Sequence, residues 1–126
     1  MEPEVIWSSD GGELVLLSSD PQMTVTRGRF ATGQQPGGRH VHLEHIDMFY
    51  VLEGALTFEL GPDAERVVVE AGGSIAIQPG VAHVFRNDSG ADATCLNIHA
   101  PDGGFADFMR GMRDGVTVEW DHRPAP

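Results

Sequence analysis

Turn residues cut this chain into short alternating runs, and that pattern points to an all-β architecture. Val5 to Trp7 and Glu13 to Leu17 flank Ser-Ser-Asp-Gly-Gly, a strong turn signal. Met23 to Phe30 forms a third run, opened by Asp20-Pro21. A Gln/Pro/Gly-rich loop, Thr32 to Gly38, leads to His40. Asp47 to Leu60 reads as one long strand bent at Gly54. Gly61-Pro62-Asp63 and Ala71-Gly72-Gly73 then set off Arg66 to Glu70 and Ser74 to Ile77. His83 to Asn87 and Ala93 to His99 complete the series. The tail changes period. Phe105, Phe108, Met109 and Met112 recur at helical spacing, so one short helix should cover the open side of the β structure. Asp102 is the expected N-cap, and Gly115 the expected stop. Val116 to Trp120 is read as a last short strand and His122 to Pro126 as a frayed end.

Composition narrows the chemistry. The 126 residues suit a single domain spanning 1–126, with no linker or repeat. Nineteen acidic residues face eight basic ones, for a formal charge of −11. That balance disfavours nucleic acid and anionic membranes as partners. All eight basic residues are arginine, so Schiff-base and Walker-type chemistry are excluded. The lone Cys95 can form no internal disulfide and lies in an apolar strand, where a buried, inert thiol is expected. The N-terminus carries no signal pattern, and LVLL at 14–17 is too short to span a bilayer, so the expectation is a cytoplasmic protein.

Against this background the histidines stand out. His40 and His42 lie two apart, so on a strand they face the same way. Asp47 follows, and His83 opens a distant strand after a Pro-Gly turn. Imidazole and carboxylate are the ligands of a divalent transition metal. These four are the candidate metal residues, with iron, nickel, manganese and zinc all admissible. Asp47 either coordinates or orients a ligand histidine or a bound water. Used without metal, the same histidines would be acids, bases or hydrogen-bond partners of a substrate. Strand parity puts Phe49 and Val51 on the Asp47 face and Phe85 on the His83 face, as an apolar wall. Asn97 and His99 share a face of the last strand. His45 and His99 are the candidate acid/base groups, and His45 and Glu44, from the loop between His42 and Asp47, are nearby substitutes for Asp47 as a ligand. Arg39 and Arg86 are read as surface ion pairs rather than anion clamps.

Two linked segments carry a family resemblance. Gly37-Gly38, His40, His42, Asp47 and Gly54 resemble the first cupin motif, covering about 36–54. Gly72, Gly80, His83 and Asn87 resemble the second, covering about 72–87. There are three departures. Asp47 stands where the family usually has Glu, Gln78 stands in place of the usual first Pro, and the leading Gly is displaced from its customary distance to His40. The resemblance implies a single cupin jelly-roll β-barrel holding one metal ion. Small cupins with such motifs resemble quercetin-dioxygenase-like proteins, as does HAPDGGFADFMRGM. The implied function is therefore dioxygenase-type chemistry on a small aromatic or enediol-like substrate. A redox-neutral isomerase, cyclase or dehydratase is the alternative, and a non-catalytic binding module is a third reading. The N-terminal strands would leave open edges. Similar small cupins commonly pair through such strands, which implies a two-fold homodimer with Trp7 at its contact.

Overall fold

The computed structural model describes all 126 residues, Met1–Pro126. Eleven strands and one helix follow in order: β1 (Glu4–Ser9), β2 (Gly12–Asp20), β3 (Met23–Phe30), β4 (His40–Val41), β5 (Ile46–Glu53), β6 (Ala55–Leu60), β7 (Glu65–Glu70), β8 (Ser74–Ile77), β9 (His83–Arg86), β10 (Ala93–Ala100), α1 (Phe105–Asp114) and β11 (Arg123–Pro124). They form two antiparallel sheets, ordered β1-β2-β3-β10-β5-β8 and β11-β4-β9-β6-β7. This is the jelly-roll fold, with its two sheets kept distinct rather than closed into one continuous barrel.

Gly54 does more than bend a strand. It separates β5 from β6, which belong to opposite sheets. Its φ of 72° lies in the left-handed region, which favours glycine. A Cβ there would lie 2.6 Å from the Asp92 carbonyl oxygen and 3.0 Å from the Ala93 Cα. The crossing lets alternate residues of both strands meet in one core. Phe49, Val51, Leu56 and Phe58 are all buried within it. Phe49 and Phe58 pack edge to face at 4.9 Å.

Register sets the inner face of the larger sheet. β10 places His99 opposite Asp47 and Asn97 opposite Phe49 on one side. On the other it places His99 opposite Thr24 and Asn97 opposite Thr26. One inward row therefore carries Thr24, His99 and Asp47, and the next carries Thr26, Asn97 and the ring of Phe49.

The helix forms where its period requires. Phe105, Ala106 and Met109 pack against Ile6 and Leu16. Arg110 and Arg113 both pair with Glu4 of β1. Gly104, not Asp102, occupies the N-cap position. The Asp102 carboxylate nonetheless accepts hydrogen bonds from the backbone N–H groups of Gly104 and Ala106. It also accepts one from the Thr24 hydroxyl, which ties the helix start to β3.

The terminal segments depart from expectation. Val116 to Trp120 is not a strand, and the end is not frayed. Arg123 and Pro124 form β11 against Val41 and His40, extending the smaller sheet. Trp7 packs, partly buried, against both hydrophobic clusters. A bulge between Val5 and Trp7 in the β1–β2 register accompanies that inward turn. No helix is long and apolar enough to cross a membrane.

Gly54→Ala should therefore destabilise the fold by roughly 2 kcal/mol, because a strained φ and a backbone clash coincide at one position. Urea unfolding measures it. A midpoint shift worth less than about 0.5 kcal/mol would show that the crossing tolerates a side chain.

Candidate metal centre

His40 and His83 are cross-strand partners on β4 and β9. His42 lies just past β4, beyond a strand only two residues long. The Pro79-Gly80 turn sets the approach of the second motif. The Gly80 N–H donates to the His42 carbonyl at 2.7 Å, joining the two motif segments directly. Asp47 enters from β5 in the opposite sheet and is 3 % exposed. One ligand atom from each of His40, His42, Asp47 and His83 lies within 4.8 Å of the others. Asp47 Oδ2 is 3.2 Å from His42 Nε2 and 3.1 Å from His83 Nε2. The sequence-predicted quartet thus converges, from both sheets.

The outer nitrogens show whether this quartet fits a metal. Nδ1 of His40 donates to the Gly38 carbonyl at 2.8 Å, that of His42 to the Asp121 carbonyl at 2.7 Å, and that of His83 to the Val81 carbonyl at 2.9 Å. A neutral imidazole has one N–H. Each ring therefore spends it outward and presents an Nε2 lone pair inward. Three such lone pairs and a carboxylate share one buried space with no donor among them. Such an arrangement is repulsive unless a cation or extra protons occupy it. Burial disfavours the protons and holds the His40 pKa down to about 4. Burial alone would raise the Asp47 pKa, but positive charge on His99 and any proton held between Asp47 and His42 or His83 push it well below the usual carboxylate range, so the ionised carboxylate calls for a cation. The donor set fits one divalent transition ion.

A second buried array adjoins the first. Asp121 Oδ2 lies 2.6 Å from His45 Nδ1. His45 Nε2 lies 2.7 Å from His99 Nδ1. His99 Nε2 then faces Asn97 Oδ1 at 3.0 Å and Asp47 Oδ1 at 3.6 Å. The Asn97 amide donates to Asp47 Oδ1 at 2.6 Å, which fixes its orientation. Satisfying all three links from Asp121 to Asn97 takes three N–H groups. Two neutral imidazoles supply two. The pair therefore holds an open place for one proton.

A cavity of about 470 Å³ opens beside these groups. His40, His42, Asp47, Asn97 and His99 line it, as do Phe49 and Phe85. Val51 does not. It is fully buried in the same core cluster as Phe49. His45 does not reach the cavity either. It is 1 % exposed and stands behind His99. Glu44 stays exposed, and only its backbone N–H is engaged, by Asp121. Asn87 is structural: its amide holds the Phe30 and Ala91 carbonyls. Arg86 pairs with Glu59 and Asp88, and Arg39 bonds the carbonyls of Gly61 and Pro126. Burial pushes the Cys95 thiol up to about 12, leaving it protonated and inert.

Sequence reasoning missed three adjacent residues. Trp120 and His122 line the cavity, and His122 stacks on His40 with centroids 4.7 Å apart. Asp121 accepts from the N–H groups of Leu43 and Glu44 while engaging His45, so it fixes the loop between His42 and Asp47. The available signal was the cluster itself. A Trp, an acid and a His side by side are an improbable composition for a solvated end.

The fold agrees with the chain's relatives. Residues 26–99 match the family model described as Cupin domain, and the chain belongs to that family. None of the curated proteins matches it. Among solved structures, it is similar to KdgF from Halomonas sp., with 19 % identity, TM-score 0.66, and coverage of 78 % of this chain and 87 % of that one. It is similar to a cupin-superfamily sugar phosphate isomerase from Silicibacter pomeroyi, with 28 % identity, TM-score 0.64, and coverage of 72 % of this chain and 60 % of that one. It is also similar to the nucleoside dehydratase Pac13 of Streptomyces, with 19 % identity, TM-score 0.66, and coverage of 98 % of this chain and 85 % of that one.

Two outcomes follow. The quartet exists only in the folded chain, so a bound ion stabilises the fold by linkage, by about 2.7 kcal/mol at a hundredfold excess over Kd. A chelator should lower the melting temperature of metal-loaded protein, and His42→Ala should abolish that response. Identical melting curves with and without chelator would contradict it. The second concerns acid. The unfolded chain protonates its histidines near the ordinary 6.5, whereas burial holds His40 and His99 to about 4 in the fold. Acid therefore favours the unfolded chain. In metal-free protein, stability should fall as pH drops from 6.5 toward 4, and His99→Leu should flatten the fall. Urea midpoints that stay constant across this range would refute the assignment.

Proposed function

We propose that this cupin is a metal-dependent enzyme that moves a proton on a small organic substrate, in an isomerase-, cyclase- or dehydratase-type reaction. One observation carries the reading. The array Asp121–His45–His99 ends on the cavity wall beside the metal quartet, with room for one more proton. His40, His42 and His83, through Nε2, and the Asp47 carboxylate would hold the ion. Bound there, a divalent ion supplies Lewis-acid polarisation of a substrate oxygen. His99 Nε2 accepts the proton from the substrate. His99 then donates from Nδ1 to His45 Nε2, and Asp121 stabilises the charge that develops on His45. Asn97 holds Asp47 Oδ1 and His99 Nε2 in fixed relation while this occurs. Stacking of His99 on Phe105, with centroids 3.7 Å apart, locks the ring against rotation.

Two of the similar proteins, a sugar phosphate isomerase and a nucleoside dehydratase, are compatible with this class of reaction. Dioxygenase chemistry is the second reading. The aromatic wall of Phe49 and Phe85 favours it, because a reactive oxygen species needs surroundings that exclude water. Oxygen separates the two. A panel of hydroxycarbonyl compounds should show turnover, or exchange of a carbon-bound proton with deuterated solvent, under argon in metal-loaded protein. His99→Gln should lower kcat by about 10²–10⁴-fold with metal content unchanged. Turnover that requires oxygen and survives His99→Gln would give the site to the dioxygenase reading.

A further inference from the structure

The charge distribution around the cavity narrows what can enter it. Not one of the eight arginines lines the wall, and the chain has no lysine. Six of them are bonded to partners elsewhere: Arg27, Arg29, Arg86, Arg110 and Arg113 to carboxylates, and Arg39 to carbonyls. The polar lining is confined to the metal pole with Asn97, His99 and His122, and to Thr26 and Gln34. The rest of the wall is aromatic and thioether, and it starts beside the metal pole, where Phe105 stacks on His99 at 3.7 Å and Trp120 meets His42 at 5.2 Å. Phe108 stacks on Trp120 at 4.8 Å, Phe105 meets the same indole at 5.2 Å, and Met109 and Met112 join them. Such a wall offers a flat ring dispersion and edge contacts, and offers an anion nothing. The net charge of −11 adds a long-range repulsion of anions. At the metal pole the balance differs. A divalent ion with three neutral imidazoles and one carboxylate leaves one positive charge, enough for one ionised oxygen.

We propose that the cavity takes an uncharged ring compound directing one hydroxyl or carbonyl group at the metal, and rejects ligands with a phosphate or carboxylate at the far end. The proposal rests on the cavity being the substrate site, and it specifies the substrate class that the reaction alone leaves open. At about 470 Å³ the space suits one ring or two fused rings with substituents. Met112, on the wall and 45 % exposed, lies at the solvent rim.

The two tryptophans of the chain, Trp7 and Trp120, both line this cavity, so intrinsic fluorescence reports on it directly. The test titrates zinc-loaded protein with 4-methylcatechol, with 3,4-dihydroxybenzoate, which keeps the ring and the metal-directed oxygens but adds a distal carboxylate, and with D-xylose as a non-aromatic polyol. The neutral catechol should quench with a Kd at least about tenfold lower than the carboxylate, a difference of about 1.4 kcal/mol. Xylose should not quench. Met112→Arg, an exposed change that leaves the core intact, should narrow the gap between the two catechols by supplying the missing cation. Equal affinity in the wild type, a gap untouched by Met112→Arg, or xylose binding as tightly as the catechol overturns the proposal. The measurement needs no turnover, so it fails independently of the proton-transfer reading. Loss of turnover in His99→Gln leaves the selectivity in place.

Discussion

One buried carboxylate links the halves of this molecule. Asp47 rises from the six-stranded sheet and meets His83, on the five-stranded sheet, and His42, at the end of β4. A carboxylate is costly to bury unless every lone pair is used. Here Oδ2 faces two imidazoles and Oδ1 takes the Asn97 amide. The sheets must approach closely for this to hold, and the Gly54 crossing and the Phe49–Phe58 contact set that approach. Stability and site geometry thus share a single set of contacts.

The terminal segment completes what the two sheets begin. Without residues 120 to 124, His42 would lose the acceptor for Nδ1, His45 its carboxylate, and His40 both its stacked neighbour and part of its strand pairing. Each of these is an orienting contact on a ring, and ring orientation decides which nitrogen faces inward. Trp120 meanwhile joins the wall built by the helix. This segment and the helix thus shape the cavity together.

Much of this was legible in the sequence because it follows short-range rules. Strand parity placed Asp47 and Phe49 inward and left Tyr50 exposed. The helical spacing of Phe105, Phe108 and Met109 located α1. The two histidine segments were found by motif, and the structure brings their residues together. What was missed depends on long-range pairing. Val51 shares the parity of Phe49, but facing inward does not separate core from cavity; only the depth of packing does. His45 reads as a loop residue until Asp121, 76 positions away, turns it inward. Arg123-Pro124 has no strand signal of its own and pairs because β4 offers an edge.

The choice of aspartate at position 47 follows from the same contacts. A glutamate there would carry its carboxylate one methylene further toward the imidazoles. Aspartate keeps Oδ1 within 2.6 Å of the Asn97 amide and 3.6 Å of His99 Nε2, while Oδ2 remains among the quartet. One oxygen thus belongs to the metal quartet and the other to the His99–His45–Asp121 array. Charge placed on either array is felt by the other through a single group in a low-dielectric interior. In the proton-transfer reading, Oδ2 spends its electron density on the quartet, and the pull of Oδ1 on His99 weakens accordingly. That leaves the His99 proton freer to move along the array toward Asp121. A longer side chain would separate the two arrays and lose that coupling, so the departure from the usual family residue is itself part of how this site would work.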